Sequence, residues 1–420
     1  MGGNRFSMSD LTDAGCCGCF GFLRKQHRSV MPFRGSSAAF SSDYLLPHNP
    51  EDVDRSFYNG ENPDDDPHDS ESGSQQSVKR SEEIILARIQ NGLICRDVPV
   101  KETRKLTISK DENGNKMINE YVRQYKIGSG SYGKVVLYRN TKDGKLYAIK
   151  VYHRSYLSRI RVGGSETALG DVLREISIMK LLDHPNIVNL IEVIDDPNTD
   201  NIYMVLEYVE GKSVCEGCGP PGGIGESTSR RYLRDIVAGL MYLHAHNIIH
   251  RDIKPDNLLV TSSGMVKICD FSVSQVFEDD NDVLRRSPGT PVFSAPECYL
   301  GSTHHGIGAD VWAVGVTLYC MILGQYPFVG ENWEDTYEKI VNNPLYLPDD
   351  INPQLKDLLE GLLWKDPEQR IKLRAVAEHP WVVQEEGPIP EYECWCRRDK
   401  SSAAAAAAAT TTSSDQQSLS

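Results

Sequence analysis

The chain has 420 residues, enough for two or three domains or for one large domain with tails. Its 40% hydrophobic and 25% charged residues are an ordinary globular balance, and the net charge of −14 argues against a nucleic-acid binder, which needs a basic face. The 11 cysteines are scattered and follow no secretory signal, so we expect a reducing compartment, cytoplasmic and/or nuclear, rather than a disulfide framework.

Two stretches at the chain ends have compositions that predict tails. Residues 1–80 are rich in Ser, Gly, Asp and Pro and carry the acidic block NPDDDPHDSES at 62–72, too polar to offset the entropy of ordering. Residues 383–420 end in a low-complexity run. We predict a disordered N-terminal tail, a lead-in segment at 81–120, one two-lobed domain at 121–382 and a C-terminal tail. Within the lead-in, the amphipathic stretch EEIILARIQNGLI is expected either to dock on the domain or to remain only marginally stable.

The N-terminal run GCCGCFGFLRK places Cys16, Cys17 and Cys19 beside aromatic and basic residues, a composition that suits S-acylation and hence membrane association. N-myristoylation is disfavoured, because Phe6 stands where a small hydroxyl residue is expected. The basic, Ser-containing residues 24–42 are faintly like a transit peptide, although the acidic block that follows argues against a long one.

The first part of the domain reads as strands. YVRQYKIG, KVVLYRN and KLYAIKVY are rich in β-branched and aromatic residues and are separated by Gly or Asp-Gly turns. A helical pattern in ALGDVLREISIMKLLDHP follows, with Leu173, Ile176 and Leu181 on its packed face, and then come the strand-like runs IVNLIEVIDD and NIYMVLEYV.

The two parts of the domain therefore differ in class. We predict an α+β, bilobal fold with a small antiparallel β-rich N-lobe at about 121–209 and a larger, mainly α-helical C-lobe at about 210–382. The apolar run VWAVGVTLYCMILG at 311–324 is too short to span a bilayer, which needs ~20 residues. It predicts a helix buried inside the C-lobe rather than a transmembrane segment.

The stretch GSGSYGKV places Gly128, Gly130 and Gly133 in a G-x-G-x-x-G pattern, which dinucleotide-binding folds share. In those folds the glycines join a strand to a helix, whereas here strand-like residues flank both sides. The pattern therefore predicts a hairpin whose backbone N–H groups can approach phosphate oxygens. A plain hairpin with permissive turn residues is the alternative.

Several charged residues downstream fit phosphoryl transfer. Lys150 in YAIK is placed to hold phosphates, and Glu175 is the best-placed acidic partner, although a lone glutamate on a helix is more often solvated. In IIHRDIKPDNLLV, Asp252 would accept or orient the proton of an attacking hydroxyl, and Lys254 would neutralise charge on the transferring phosphoryl group. Asn257 follows five residues after Asp252 and would supply a metal ligand.

The carboxylate of Asp270 in KICDF would hold Mg²⁺. With Lys150, Glu175, Asp252, Asn257 and Asp270 in this order and spacing, the chain resembles the protein kinases over roughly 121–382. APE at 295–297, DVW at 310–312 and HPW at 379–381 stand where the family has landmarks, and Arg370 resembles the residue that pairs with Glu297.

This resemblance implies the bilobal kinase fold, with ATP and Mg²⁺ as cofactors. HRDIKPDN resembles the serine/threonine class, in which Lys254 and Thr290 flank the catalytic Asp252. The metal ligands implied are Asn257 and Asp270, and Leu206 is the implied gatekeeper. The implied ATP contacts are Ile127, Gly128, Ser129, Gly130, Ser131, Tyr132, Gly133, Lys134, Val135, Lys150, Leu206 and the backbone of Glu207 and Val209.

A narrower resemblance is to the calcium/calmodulin-dependent kinase kinases, and within that group to the plant geminivirus Rep-interacting kinases. It is carried by LDHPNIVNLIEVIDDPN, YLHAHNIIHRDIKPDNLLV, KRSEEI, DFSVSQVF, LRRSPGTPVF and the terminal CWC. It implies phosphorylation of the activation-loop threonine of sucrose-non-fermenting-related (AMP-activated-type) kinases, and a viral replication protein as a partner. The stretch 383–396 is acidic and broken by prolines, so it does not predict the basic helix that calmodulin binds.

Two features leave alternatives open. Ser272 stands where the Asp-Phe pair of kinases is normally followed by glycine, which raises the alternative of a pseudokinase scaffold. Glycine there mainly widens backbone freedom, so serine is expected to restrict the flip of the pair rather than abolish metal binding. Cys215 and Cys218 form a lone C-x-x-C without a second suitably spaced pair, which indicates surface thiols or a redox switch rather than a structural zinc site.

Regulation is predicted at two places. Thr167 lies in the insert SRIRVGGSETALG between Lys150 and the helix of Glu175, and Ser287 lies in LRRSPGT. We hypothesise that both are phosphorylated, whereas Thr290 plays the structural role of its family position. Arg251, next to Asp252, would anchor the activation segment.

Overall fold

The computed structural model describes residues 81–91, 94–130, 132–163, 166–278, 281–285, 288–390, 392 and 394. The predicted N-terminal tail, Cys16, Cys17, Cys19, Ser131, Ser287 and most of the C-terminal tail lie outside the described residues.

The N-lobe and its lead-in contain strands and three helices within the described part of the chain. In chain order these are α1 (Ser81–Gln90), β1 (Lys101–Thr103), β2 (Ile108–Lys110), β3 (Lys116–Ile118), β4 (Tyr121–Ser129), β5 (Gly133–Asn140), β6 (Leu146–His153), α2 (Arg154–Leu157), β7 (Arg161–Gly163), β8 (Glu166–Thr167), α3 (Ala168–Met179), β9 (Leu190–Asp195) and β10 (Asn201–Glu207).

Eight of these strands form one sheet in the order β1-β9-β10-β6-β5-β4-β3-β2, and β7 and β8 pair separately as an antiparallel two-stranded sheet. The pairings are antiparallel except for β1, which pairs parallel to β9 with Lys101 opposite Glu192. The antiparallel β-rich lobe predicted from the sequence is thus present, and the lead-in extends it at both edges. These added strands have only three residues each, so their local sequence signal is weak.

The lead-in also contributes helix α1, which packs against α3 and β14 (Gln275–Val276). Ile84 and Ile85 are buried, and Ser81 Oγ donates to the Val276 carbonyl at 3.3 Å. The amphipathic stretch therefore docks on the domain.

Helix α3 departs from its predicted face in one respect. Leu173, expected on the packed face, is 41% exposed, whereas Glu175 is 1% exposed. The Glu175 carboxylate can be buried because it pairs with Lys150 of β6. This ion pair offsets the free-energy cost of removing the charge from water. Leu181 is buried, but on the turn after the helix has ended at Met179.

The C-lobe is mainly helical. Its elements are α4 (Glu226–Ala245), β11 (Ile248–Ile249), β12 (Leu258–Val260), β13 (Val266–Ile268), β14, β15 (Val283–Leu284), α5 (Glu297–Leu300), β16 (His304–His305), α6 (Gly306–Leu323), α7 (Trp333–Asn342), α8 (Pro353–Leu362), α9 (Leu373–Ala377) and α10 (Pro380–Val383).

Helix α6 lies at the centre of this lobe. In length and hydropathy it could cross a membrane, and it is the one such helix among the described residues, but 72% of it is buried inside the domain. It packs against α4 and α8, and a Cβ at Gly315 would approach the Leu362 Cβ to 2.8 Å, so glycine permits the close crossing. These contacts are those of the buried core helix that the sequence predicts.

Candidate active site

The cleft between the lobes has an apolar half and a polar half. The apolar half, about 490 Å³ in volume, is lined by Ile127, Val135, Ala148, Leu206 and Leu259, among others. Lys150 and Asp270 line both halves, so the two are continuous. A flat apolar slot that opens onto paired charges suits a nucleotide, with its base in the slot and its phosphates toward the charges.

The backbone of the segment that links the lobes is positioned for base recognition. Glu207 ends β10, and its N–H donates to the Asn189 carbonyl at 3.0 Å. Its own carbonyl is therefore the group it would offer to a base, and Val209 lines the same slot. Leu206, the implied gatekeeper, is buried beside them.

Three charged side chains meet at the polar half. Lys150 Nζ lies 2.6 Å from Glu175 Oε1 and 3.1 Å from Asp270 Oδ1. The Tyr152 hydroxyl donates to the second Glu175 oxygen at 3.1 Å, which holds the carboxylate from the other side. These residues come from β6, α3 and the turn after β13, so the sequence-predicted set is brought together.

This arrangement keeps the lysine charged. Burial alone would lower the pKa of Lys150, but attraction to Asp270 and Glu175 outweighs it and leaves that pKa well above its ordinary value. Burial likewise opposes the charged form of Asp270, and the neighbouring Lys150 nevertheless holds the pKa of this carboxyl below its usual range. The site thus presents a fixed cation beside a fixed anion.

The Gly-rich stretch is a hairpin between β4 and β5, with strands on both sides. Gly130 N–H donates to the Gly133 carbonyl at 2.8 Å and closes the turn. A Cβ at Gly133 would lie 2.4 Å from the Val151 carbonyl oxygen, so only glycine allows β5 this close to β6. Ser129 and Lys134 pair across the hairpin, and Tyr132 near its tip donates to Asp171 at 3.2 Å.

The catalytic loop surrounds Asp252 with hydrogen-bond donors. Its Oδ1 accepts from the Thr290 N–H at 3.2 Å and the Thr290 hydroxyl at 3.0 Å. Its Oδ2 accepts from Lys254 Nζ at 2.8 Å and Asn257 Nδ2 at 2.9 Å. Lys254 also donates to the Thr290 hydroxyl at 2.7 Å. The carboxylate is thereby fixed in orientation and held as an acceptor, the state needed to orient a hydroxyl.

Asp310, in the first turns of α6, accepts hydrogen bonds from the backbone of this loop. The sequence identified it only as part of the family stretch DVW at 310–312 and gave it no role. Its carboxylate accepts from the His250 N–H at 2.9 Å, the Arg251 N–H at 2.8 Å and His244 Nε2 at 2.9 Å. Arg251 has a positive φ of 71°, and Asp310 supports this unusual backbone. A contact across sixty residues has no local sequence signal.

Ser272 occupies an ordinary backbone region. Asp270 has a positive φ of 63°, whereas Ser272 does not, so the position after Asp-Phe makes no demand for glycine. The Ser272 hydroxyl is close enough to the Asp270 carboxylate to add to the lowering of its pKa, after the larger effect of Lys150. Phe271 is fully buried with its ring 5.1 Å from that of His250. The serine therefore fits the metal-holding turn without strain.

Asn257 and Asp270 offer the oxygen donors that Mg²⁺ prefers. Asn257 Nδ2 donates both to the Asp252 carbonyl at 2.8 Å and to the Asp252 carboxylate, so the amide oxygen is the atom left for a metal. The Cys269 N–H donates to the Asn257 carbonyl at 2.9 Å, which ties the two ligand-bearing segments together. The donor set fits a magnesium ion with nucleotide phosphates.

Outside the cleft, the pair implied for the activation segment is present. Arg370 donates Nη1 to Glu297 Oε1 at 2.6 Å and Nη2 to Oε2 at 2.8 Å, a buried bidentate pair. Arg251 donates to the Val273 carbonyl at 3.2 Å and to Gln275 Oε1 at 3.1 Å. The activation segment is thus anchored at its start by its own polar groups.

Two predicted features lie away from the chemistry. Thr167 is the N-cap of α3, where its hydroxyl accepts from the Gly170 N–H at 3.3 Å. Cys215 is buried in the loop before α4, and burial raises the pKa of its thiol to about 12, so it is not a surface thiol. Cys218, half-buried, donates to the Gly324 carbonyl at 3.5 Å.

The chain is similar to known kinases over most of its length. Serine/threonine-protein kinase GRIK1 of Arabidopsis thaliana is 62% identical over 389 residues, which cover 91% of this chain and 94% of the relative. GRIK2 of the same plant is 69% identical over 323 residues, 76% of this chain and 79% of the relative. The calcium/calmodulin-dependent protein kinase kinase of Caenorhabditis elegans is 40% identical over 294 residues, 65% and 54% of the two chains.

All three relatives are named as kinases, so the comparisons do not support the pseudokinase alternative. Protein kinases in general use ATP with Mg²⁺ and act on protein substrates. Residues 121–382 match the protein kinase domain model. The chain belongs to the protein kinase family and is a serine/threonine protein kinase.

Proposed function

We propose that this kinase phosphorylates the activation-loop threonine of a sucrose-non-fermenting-related, AMP-activated-type kinase and uses MgATP to do so. The observation that carries the phosphotransfer step is the hydrogen-bonded Asp252 between Lys254, Asn257 and Thr290. The choice of acceptor is supported by the resemblance to the geminivirus Rep-interacting kinases and by the 62% identity to GRIK1 over nearly all of that protein.

Each residue has a distinct task in the transfer. Lys150, held by Glu175, positions the nucleotide phosphates, and Asp252 orients the acceptor hydroxyl and takes up its proton. Lys254, 2.8 Å from that carboxylate, lies where it would balance charge on the transferring group. Bound between Asn257 and Asp270, Mg²⁺ would neutralise negative charge on the phosphates. The chain thus supplies positioning and electrostatics rather than a covalent intermediate.

The acceptor is tested with a purified, catalytically dead domain of such an energy-sensing kinase. We expect labelled phosphate on its activation-loop threonine and none on the matched acceptor in which that threonine is alanine. Peptide mass spectrometry would locate the site. Equal labelling of the two acceptors, with this kinase active on a general substrate such as myelin basic protein, would overturn the acceptor but not the enzyme.

A further inference from the structure

Three side chains of metal-binding type converge outside the predicted catalytic and nucleotide-binding set. Cys95 comes from the lead-in, His246 from the C-cap of α4 and Cys394 from the C-terminal segment. One ligand atom from each lies within 4.8 Å of the other two. It is the one such group of three found across the described residues. His246 and Cys394 lie in stretches that carry the narrower resemblance, YLHAHNIIHRDIKPDNLLV and CWC, but none of the three residues belongs to the predicted catalytic, nucleotide-binding or metal set of the cleft.

The imidazole is held in the manner of a metal ligand. His246 Nδ1 lies 2.7 Å from the Tyr242 carbonyl oxygen, one turn back on α4, so this nitrogen carries the proton and donates it. The other ring nitrogen, Nε2, is then the one that would bind a metal. Metal-ligating histidines commonly donate the second nitrogen to a backbone carbonyl in this way, which fixes both tautomer and ring orientation.

The two cysteines are buried and available as thiols. Cys95 is 6% exposed and Cys394 1% exposed, and neither forms a disulfide. The Arg88 guanidinium donates to the His246 carbonyl at 2.6 Å and so ties α1 of the lead-in to the residue that carries the imidazole.

The surrounding backbone fixes these side chains in place. The Cys95 N–H donates to the Leu181 carbonyl at 3.0 Å, next to the end of α3. The Tyr242 ring lies 4.4 Å from the His246 ring and 5.6 Å from the Tyr392 ring, and Tyr392 stands two residues before Cys394. These contacts bring the C-terminal segment against the end of α4, where the imidazole lies.

We propose that Cys95, His246 and Cys394 bind a zinc ion that fastens the lead-in and the C-terminal segment to the C-lobe. Thiolate and imidazole ligands select zinc over the hard cations, and zinc bonds of ~2.3 Å to sulfur and ~2.0 Å to nitrogen fit ligand atoms this close together. Binding displaces the two thiol protons, and the three protein ligands leave the fourth tetrahedral position open.

A disulfide between Cys95 and Cys394 is the competing use of the same atoms. A disulfide would not use the His246 ring, which contributes a ligand atom to the cluster and is held by its hydrogen bond to the Tyr242 carbonyl. Zinc uses all three residues, and it is compatible with a reducing compartment.

The test is the metal content of the full-length protein, prepared with a phosphine reductant and without an immobilised-metal column. After incubation with zinc sulfate and dialysis, we expect about one equivalent of zinc per chain by elemental mass spectrometry. Cys394→Ser and His246→Gln should retain less than about a fifth of that amount. Cys218→Ser, which removes a half-buried thiol elsewhere, should retain all of it. A wild-type protein without zinc, or equal loss in Cys218→Ser, would overturn the site.

Cobalt(II) provides a reading that does not depend on the variants folding. Wild-type protein loaded with Co²⁺ should show thiolate-to-cobalt charge-transfer absorption and the visible bands of a tetrahedral ion, both abolished by added zinc. Cobalt bound without the thiolate absorption would contradict cysteine ligation. Modification of the thiols with methyl methanethiosulfonate should release the bound zinc, and zinc retained after complete modification of Cys95 and Cys394 would contradict it as well.

Discussion

The interlobe cleft and the Cys95–His246–Cys394 cluster differ in how far the sequence indicates them. In the cleft, Lys150, Glu175 and Asp270 come from motifs with known chemistry and meet within 3.1 Å. In the cluster, Cys95 and Cys394 meet although they stand almost 300 positions apart and no spacing pattern relates them. Phosphoryl transfer demands a fixed set of residue types in order, whereas a fastening site needs only that the fold bring its ligands together.

The C-x-x-C pair sharpens the contrast. Cys215 and Cys218 look like a site in the sequence, but Cys215 is buried with a raised pKa and no third ligand joins them among the described residues. A C-x-x-C spacing thus marks no ligand cluster here, whereas the cluster of Cys95, His246 and Cys394 has no characteristic spacing. Spacing along the chain identifies chemistry only where the reaction itself restricts the spacing.

The role of the cleft in phosphotransfer is tested with the largest expected effect by a substitution at Lys150. Lys150→Met removes the cation that Glu175 and Asp270 hold in place, and we expect the phosphotransfer rate to fall by about 10²–10³-fold, as for loss of one electrostatic stabiliser. Initial rates with radiolabelled ATP measure it. Lys145→Met, at an exposed position on the preceding turn, is the matched control and should retain activity. A comparable loss in both would contradict a specific role for Lys150.

The buried Cys215 thiol of the C-x-x-C pair should be alkylated slowly. With its pKa raised to about 12 from an ordinary 9.0, Cys215 carries roughly 10³-fold less thiolate at a given pH, and we expect its reaction with iodoacetamide to be at least about 100-fold slower in folded than in unfolded protein. Peptide mass spectrometry after timed labelling gives the two rates. Similar rates would show that the thiol is reactive and reopen the redox switch.

The packing of α1 against the domain is tested by truncating one of its buried side chains. Ile85→Ala removes a side chain that is 2% exposed, and we expect the free energy of unfolding to fall by about 2–5 kcal/mol. The neighbouring Leu86→Ala, at 55% exposure, should change it by less than about 0.5 kcal/mol. Urea denaturation of both variants measures the difference. If the two variants were equally stable, α1 would not be packed on α3 in solution.

The smallest effect is expected at Ser272. Its φ is not positive, so Ser272→Gly relieves no strain and removes only the hydroxyl that helps to lower the pKa of Asp270. We expect the phosphotransfer rate to stay within about tenfold of wild type, at most ~1.4 kcal/mol in the barrier. Steady-state kinetics at varied ATP and Mg²⁺ would detect a change in metal binding. A larger change in either direction would assign the serine a role beyond this interaction.

The sequence was informative where function restricts residue type and order. It located Lys150, Glu175, Asp252, Asn257 and Asp270, and the structure brings these residues to one cleft. It also predicted the two lobes, because long strands and helices carry clear periodicities.

What the sequence could not predict depends on distant partners. The burial of Glu175 in place of Leu173 follows from a lysine 25 residues away, and the support of the catalytic loop by Asp310 spans sixty residues. Strands β1 to β3 are too short to signal their pairing. The convergence of Cys95, His246 and Cys394 requires the whole fold.

The most direct test of phosphotransfer at this cleft compares wild type with Asp252→Asn. The amide leaves the size of the side chain unchanged but removes the charge that Lys254 and Thr290 surround. We predict a fall of about 10²–10⁴-fold in the rate of phosphate transfer to a protein acceptor. MgATP should still raise the thermal stability of the variant, because Lys150 and Asp270 are intact. Equal rates in the two proteins would contradict the assignment of the chemistry to Asp252.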